Sequence, residues 1–213
     1  MYFRFCLNYC EVEEQLFVRG ILVTYAAIRK WCRKFGQQYA DQPCRRRIKP
    51  SDEWHLNEVF LTIKGERRYL WRAVGRDGNV LDMLVQSRRD KQATKEFFRK
   101  LLKGLTYVPW VIIIGKLTSY GAANRGILLG LKHRQHGYFN NRAENSHQPT
   151  RQREWQMQGF KSHGRAQHFL SASGSIAQHF RPRRHVLAAP GYRKSMVQRF
   201  QMWGEITSAR MTP

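Results

Sequence analysis

Residues 54–63 read WHLNEVFLTI, from Trp54 to Ile63, and the reading of this stretch decides the fold. It is rich in aromatic and branched side chains and alternates as a strand does. Two similar runs follow, Arg67–Gly75 and Asn79–Ser87. Lys64-Gly65-Glu66 and Arg76-Asp77-Gly78 separate the three runs, and both have hairpin-turn chemistry. An antiparallel meander is therefore expected. One polar residue stands out within it: Asn57 emerges among apolar neighbours in the middle of the first strand.

Working outward, Asp90–Lys103 (DKQATKEFFRKLLK) has helical spacing, with Phe97, Phe98, Leu101 and Leu102 on one side. Pro109–Ile114 is apolar throughout, the pattern of a parallel strand buried on both faces. Helices are expected within Tyr120–Leu131 and over Asn141–Met157, Arg165–Phe180 and Ala188–Thr207, with a His-rich turn after the first. Three antiparallel strands, a helix, a buried strand and then helices is the order of a ribonuclease-H-like α/β core. That fold is a mixed sheet with flanking helices.

Before the meander, Glu11–Val18 reads as a short amphipathic helix stopped by Arg19-Gly20. Thr24 is a candidate N-cap for a second helix, Ala26–Phe35. The second helix carries Arg29, Lys30, Arg33 and Lys34, so residues 1–36 suggest a helix-turn-helix that reads DNA, with a short, truncated first segment. Residues 37–52 hold Pro43, Arg45-Arg46-Arg47 and Pro50 and read as a basic linker. Residues 53–213 would then form the core.

The charge balance is extreme: 38 Lys and Arg against 15 Asp and Glu, a net charge of +23. No aspartate follows Asp90, and from residue 101 onward the acids are Glu144, Glu154 and Glu205. An acidic polymer, most simply double-stranded DNA, is the expected partner. The apolar run Val111–Ile114 is far too short to cross a bilayer. The four cysteines, Cys6, Cys10, Cys32 and Cys44, lack zinc-site spacing and follow no signal-peptide pattern. They are expected as small buried hydrophobes in a reducing cytoplasm, without disulfides. His133 and His136 are a weak ligand pair, lacking a matching second pair. Trp155 is expected to be buried against the core rather than free to stack on a base.

The chain resembles the small DDE insertion-sequence transposases of bacteria and archaea, the IS-six group. The resemblance runs through RGILVTYAAIRKWCRKFG (19–36), WHLNEVF (54–60), YLWRAV (69–74), GNVLDMLVQSRRD (78–90), KLTSYGAA (116–123), KHRQH (132–136), NNRAENSHQPTRQRE (140–154) and FRPRRH (180–185). It implies an enzyme that binds terminal inverted repeats and joins DNA strands with Mg²⁺ ions about 4 Å apart, held by three carboxylates. It places those acids at Asn57, Gly115 and Glu144, so this chain keeps only Glu144. An amide offers a neutral oxygen and glycine offers no side chain.

Glu58 should point to the opposite strand face, and Glu53 lies about 13 Å along the strand, so neither is expected to substitute. The expectation is a transposase by descent with impaired chemistry. The alternative is an inactive paralogue or regulator that binds element ends without cutting them. Contacts to DNA would come from Thr24, Tyr25, Arg29, Lys30, Arg33 and Lys34 in the N-terminal helices. Arg142, Arg151, Arg153 and Lys161 around Glu144 would add to them, as would the cluster Arg181, Arg183 and Arg184. Pairing two element ends implies a homo-oligomer, at work in the cytoplasm on the nucleoid.

Overall fold

The structure, a computed structural model, describes residues 1–45, 52–105, 107–114, 132–135, 147–182 and 187–208. These group into two compact units: Met1–Arg47 with Ser171–Pro213, and Ile48–Leu170.

The second unit holds the sheet. Strands β1 (Glu53–Ile63), β2 (Glu66–Gly75) and β3 (Val80–Gln86) form the expected meander, and helix α3 (Lys91–Leu105) returns the chain. Strands β4 (Val111–Ile114) and β5 (Lys132–Gln135) follow, and the sheet order is β3-β2-β1-β4-β5. β1 runs antiparallel to β2 and parallel to β4, and β4 runs parallel to β5. This is the ribonuclease-H-like arrangement, with β1 at its centre.

The β1–β2 turn follows from two residues: Lys64 (φ 52°) and Gly65 (φ 79°) both take positive φ between the paired Ile63 and Glu66. Two central residues with positive φ match the right-handed twist of the flanking strands, which is why Gly suits this turn. α3 begins on a cap, Asp90 Oδ1 accepting from Ala93 N–H at 2.8 Å. Its Phe97, Phe98 and Leu101 pack on Trp54, Leu56, Trp71, Ala73, Ile112 and Ile114, all buried. Each such side chain contributes about 1.5–3 kcal/mol by leaving water.

One element of this unit departs from the sequence reading. Lys132–Gln135 is a strand rather than a His-rich turn. Its polar residues carry no alternation, so only backbone pairing with β4 defines it. The helix expected within Tyr120–Leu131 lies outside the described residues. Helix α4 (Gln148–Gln156) lies within the span expected as helical over Asn141–Met157, of which 141–146 are likewise outside the described residues. Helix α5 (His163–His179) matches its expected position.

In the first unit, α1 (Tyr9–Phe17) starts with a capping box between Asn8 and Glu11. Gly20 (φ 75°) follows the helix, as the sequence suggested. Thr24 Oγ1 accepts from Ala27 N–H at 3.3 Å and caps the next helix. That helix, α2 (Tyr25–Arg45), takes in residues 37–45 of the stretch expected as a linker, Pro43 included. Ala40 is fully buried against Ala172, Ile176 and Phe180, with Trp203 beside them. This apolar contact overrides the turn-like composition of the segment. The unit is completed by the second half of α5 and by α6 (Ala189–Ser208), which the sequence reading had placed with the sheet.

Candidate active site

Asn57 sits in the middle of β1, half-buried, directly across from Arg72 of β2. Opposed residues of an antiparallel pair share a face, so both side chains leave β1 and β2 on the same side of the sheet. Asn57 Oδ1 is turned onto the backbone, accepting from Glu58 N–H at 2.9 Å. Arg72 is buried, and its guanidinium donates to the Thr150 hydroxyl of α4. Burial pushes the Arg72 guanidinium down to about 10. His147, just before α4, is also buried. Its imidazole is pushed down to about 2, first by burial and then by the Arg72 and Arg151 charges. Among the described residues neither of its ring nitrogens has a hydrogen-bond partner. The middle of this face is thus a buried, cationic patch with an amide in it.

The neighbouring acids are committed elsewhere. Glu58, on the other strand face, is 4% exposed and paired with Arg89. Burial pushes its carboxyl up, partly countered by the Arg89 charge. Glu53 shares the Asn57 face, but its Oε1 lies 3.0 Å from His55 Nε2. Among the described residues no group of three or more His, Cys, Asp or Glu could hold a metal ion. The described part of the site does not fit a divalent cation: its oxygen is a neutral amide already used by the backbone, and a buried guanidinium faces it.

Gly115, Arg142, Glu144, Arg183 and Arg184 lie outside the described residues. Thr24, Tyr25, Arg29, Lys30, Arg33 and Lys34 are exposed along the first turns of α2. Arg151, Lys161 and Arg181 are exposed as well. Arg153 differs: it is buried, its guanidinium 5.1 Å from the centre of the Phe169 ring, so it serves packing rather than phosphate contact. Trp155 reverses its expectation, being 81% exposed. The inward positions of α4 are Thr150 and Arg153, and Trp155 falls on another side of the helix. Cys10 is exposed and Cys6 and Cys32 are half-buried, so these three are not the core residues expected, and the Cys44 side chain lies outside what is described. Burial still raises the Cys32 thiol to about 11. Arg72, Thr150 and His147 were missed; the available signal was an arginine inside the strand pattern YLWRAV.

The strand order β3-β2-β1-β4-β5 defines a ribonuclease-H-like fold. The DDE domain of IS240-type transposases matches residues 51–183, and the chain belongs to this DDE transposase family, in the IS-six insertion-sequence group. The transposase for insertion sequence-like element IS431mec of Staphylococcus aureus is 25% identical over 166 residues, covering 76% of this chain and 74% of that protein. The transposase of element IS257 in transposon Tn4003, also from Staphylococcus aureus, matches equally: 25% identical, over 76% of this chain and 74% of its own. Among solved structures, the HTLV-2 integrase catalytic core domain in complex with magnesium superposes with a TM-score of 0.44 at 13% identity, over 74% of this chain and 99% of that one. The BIV integrase catalytic core domain gives 0.43 at 14% identity, over 71% of this chain and 99% of that one.

Proposed function

We propose that this insertion-sequence transposase binds the terminal inverted repeats of its element and is impaired in strand cleavage and transfer. The observation that carries the reading is Asn57: the centre of β1 presents an amide turned onto the backbone, opposite the buried Arg72. Gly115, the second position at which the family resemblance places an acid, has no side chain to offer. Glu144 remains as a single carboxylate, too few for two Mg²⁺ ions. Under this reading, binding of element ends survives without cutting, as in a regulator that competes with active copies.

Support for DNA binding comes from charge and placement. The chain carries a net charge of +23. Arg29, Lys30, Arg33 and Lys34 line α2 behind the Thr24 cap and are exposed. α1 and α2 would act together as a helix-turn-helix, and two copies would pair the two ends. Arg151, Lys161 and Arg181 would add phosphate contacts from the rest of the chain. Each neutralised phosphate makes log K fall by about 0.9 per tenfold rise in salt. No helix among the described residues is long and apolar enough to cross a membrane. Work in the cytoplasm on the nucleoid suits these features.

The test is a supercoiled plasmid carrying the element ends, incubated with Mg²⁺ or Mn²⁺ and either this chain or Asn57→Asp with Gly115→Asp. Binding by both with nicking and joining only by the double variant is expected. Cleavage by the unaltered chain would sink the assignment of positions 57 and 115.

A further inference from the structure

β4 pairs with Glu53–Leu56 of β1, and the chain after α4 runs along the later part of that same strand. Phe160 bridges Ile63, and Thr62 N–H donates to Glu154 Oε1 at 3.0 Å. Between these segments lies a groove of about 810 Å³, lined in part by Phe60, Lys64, Arg151, Trp155 and Lys161. That volume falls within the ~300–1,000 Å³ typical of ligand clefts. All of it belongs to the sheet-bearing unit.

The lining combines two chemistries. Trp155 is 81% exposed and Phe60 46% exposed, so two aromatic rings meet water. Arg151, Lys64 and Lys161 are exposed cations beside them. Arg151 and Trp155 stand four residues apart on α4 and so adjoin each other on one helix face. Glu154, the acid of the lining, is engaged by the Thr62 backbone, which partly offsets its charge and leaves the groove cationic. Exposing an indole has no stabilising role in the fold, and a ring next to cations suits a flat, anionic ligand.

We propose that this groove holds an unpaired DNA strand, one base stacked on the Trp155 indole and the neighbouring phosphates on Arg151 and Lys161. The proposal rests on the DNA-binding reading above and names the form of DNA this groove takes. An intact duplex hides its base faces in the stack and presents only phosphates and base edges. A single strand offers the base face that an exposed indole recognises without regard to sequence. Phe60, 5.4 Å from Tyr69 and covered by the Arg67 guanidinium 4.6 Å from its ring centre, adds an aromatic rim to the same groove.

The test measures fluorescence anisotropy of a labelled oligothymidylate and of a labelled duplex carrying the element end. Trp155→Ala, Trp155→Phe and Arg151→Gln/Lys161→Gln are compared with the unaltered chain. Stacking predicts that Trp155→Ala weakens oligothymidylate binding about 5- to 100-fold, that Trp155→Phe restores most of it, and that duplex binding changes less than about twofold. The double charge variant should flatten the salt dependence on oligothymidylate. If Trp155→Ala binds oligothymidylate like the unaltered chain while the duplex is still bound, the groove assignment is wrong and the DNA-binding reading stands. Equal losses on both substrates also overturn it. If the unaltered chain binds neither DNA, both readings fail together.

Discussion

The two faces of the central sheet are built on opposite terms. Toward α3, Trp54, Leu56, Trp71 and Ala73 meet Phe97, Phe98 and Leu101 in a continuous apolar layer. Toward α4, the same two strands bring Asn57 and Arg72 up to Thr150 and His147, all of them at least half-buried. The first face is stabilised by area removed from water, and a shape defect there costs the full transfer and cavity terms. The second buries a cation and an imidazole, and is tolerable only as far as hydrogen bonds and protonation states allow. Here the polar frame surrounds an amide, Asn57, the residue on which the proposed impairment rests.

The largest expected effect lies on the apolar face. Phe97→Ala should lower unfolding stability by about 3–5 kcal/mol in a urea titration; a loss under about 1 kcal/mol would show that this layer does not hold the unit together. On the polar face, Thr150→Val removes the acceptor from a buried guanidinium at nearly constant shape. A loss of about 1.5–3 kcal/mol by the same titration is expected.

The third prediction concerns pH. His147 stays neutral in the fold, its imidazole held at about 2, whereas the unfolded chain binds a proton near 6.5. Its stability contribution is complete above pH 6.5 and is lost as pH falls below it, by about 1.4 kcal/mol per pH unit. His147→Phe should remove that part of the slope, and identical pH profiles for the two chains would refute the burial argument.

Asn57→Asp places a carboxylate opposite Arg72. The guanidinium should hold that carboxyl below its usual range, so the stabilisation is present above about pH 3.9 and lost as pH falls through the folded value. After the desolvation of the new charge, a net gain of about 1 kcal/mol at neutral pH is expected from thermal melts. The smallest effect is on neither face: Glu66→Gln breaks an exposed pair with Arg68 and should change stability by less than about 0.5 kcal/mol.

Much of the frame was legible because it is local. Strand alternation, the Lys64-Gly65 turn, the helical stripe of Phe97, Phe98 and Leu101, and the Thr24 cap are each set by residues a few positions apart. Elements defined by distant partners were not legible. Lys132–Gln135 has no strand pattern of its own and takes its form from β4. Residues 37–45 carry loop composition yet extend α2, because Ala40 packs on residues some 130 positions later, Ala172 among them. For the site, Asn57 could be placed from the strand pattern and the family resemblance. Arg72, Thr150 and His147 could not be joined into a site, since the arginine inside YLWRAV gives no sign of its partner, Thr150, 78 positions later in the chain. Trp155 was misread for the opposite reason: a lone large apolar residue on a polar helix is usually drawn inward, and here Thr150 and Arg153 occupy that side.

The most direct measurement is a calorimetric titration of Mn²⁺ into this chain and into Asn57→Asp with Gly115→Asp. The account predicts no resolvable binding by the unaltered chain and saturable binding once both carboxylates are restored. Equal, saturable binding by the two would mean that other groups hold the metals and that the centre was never lost.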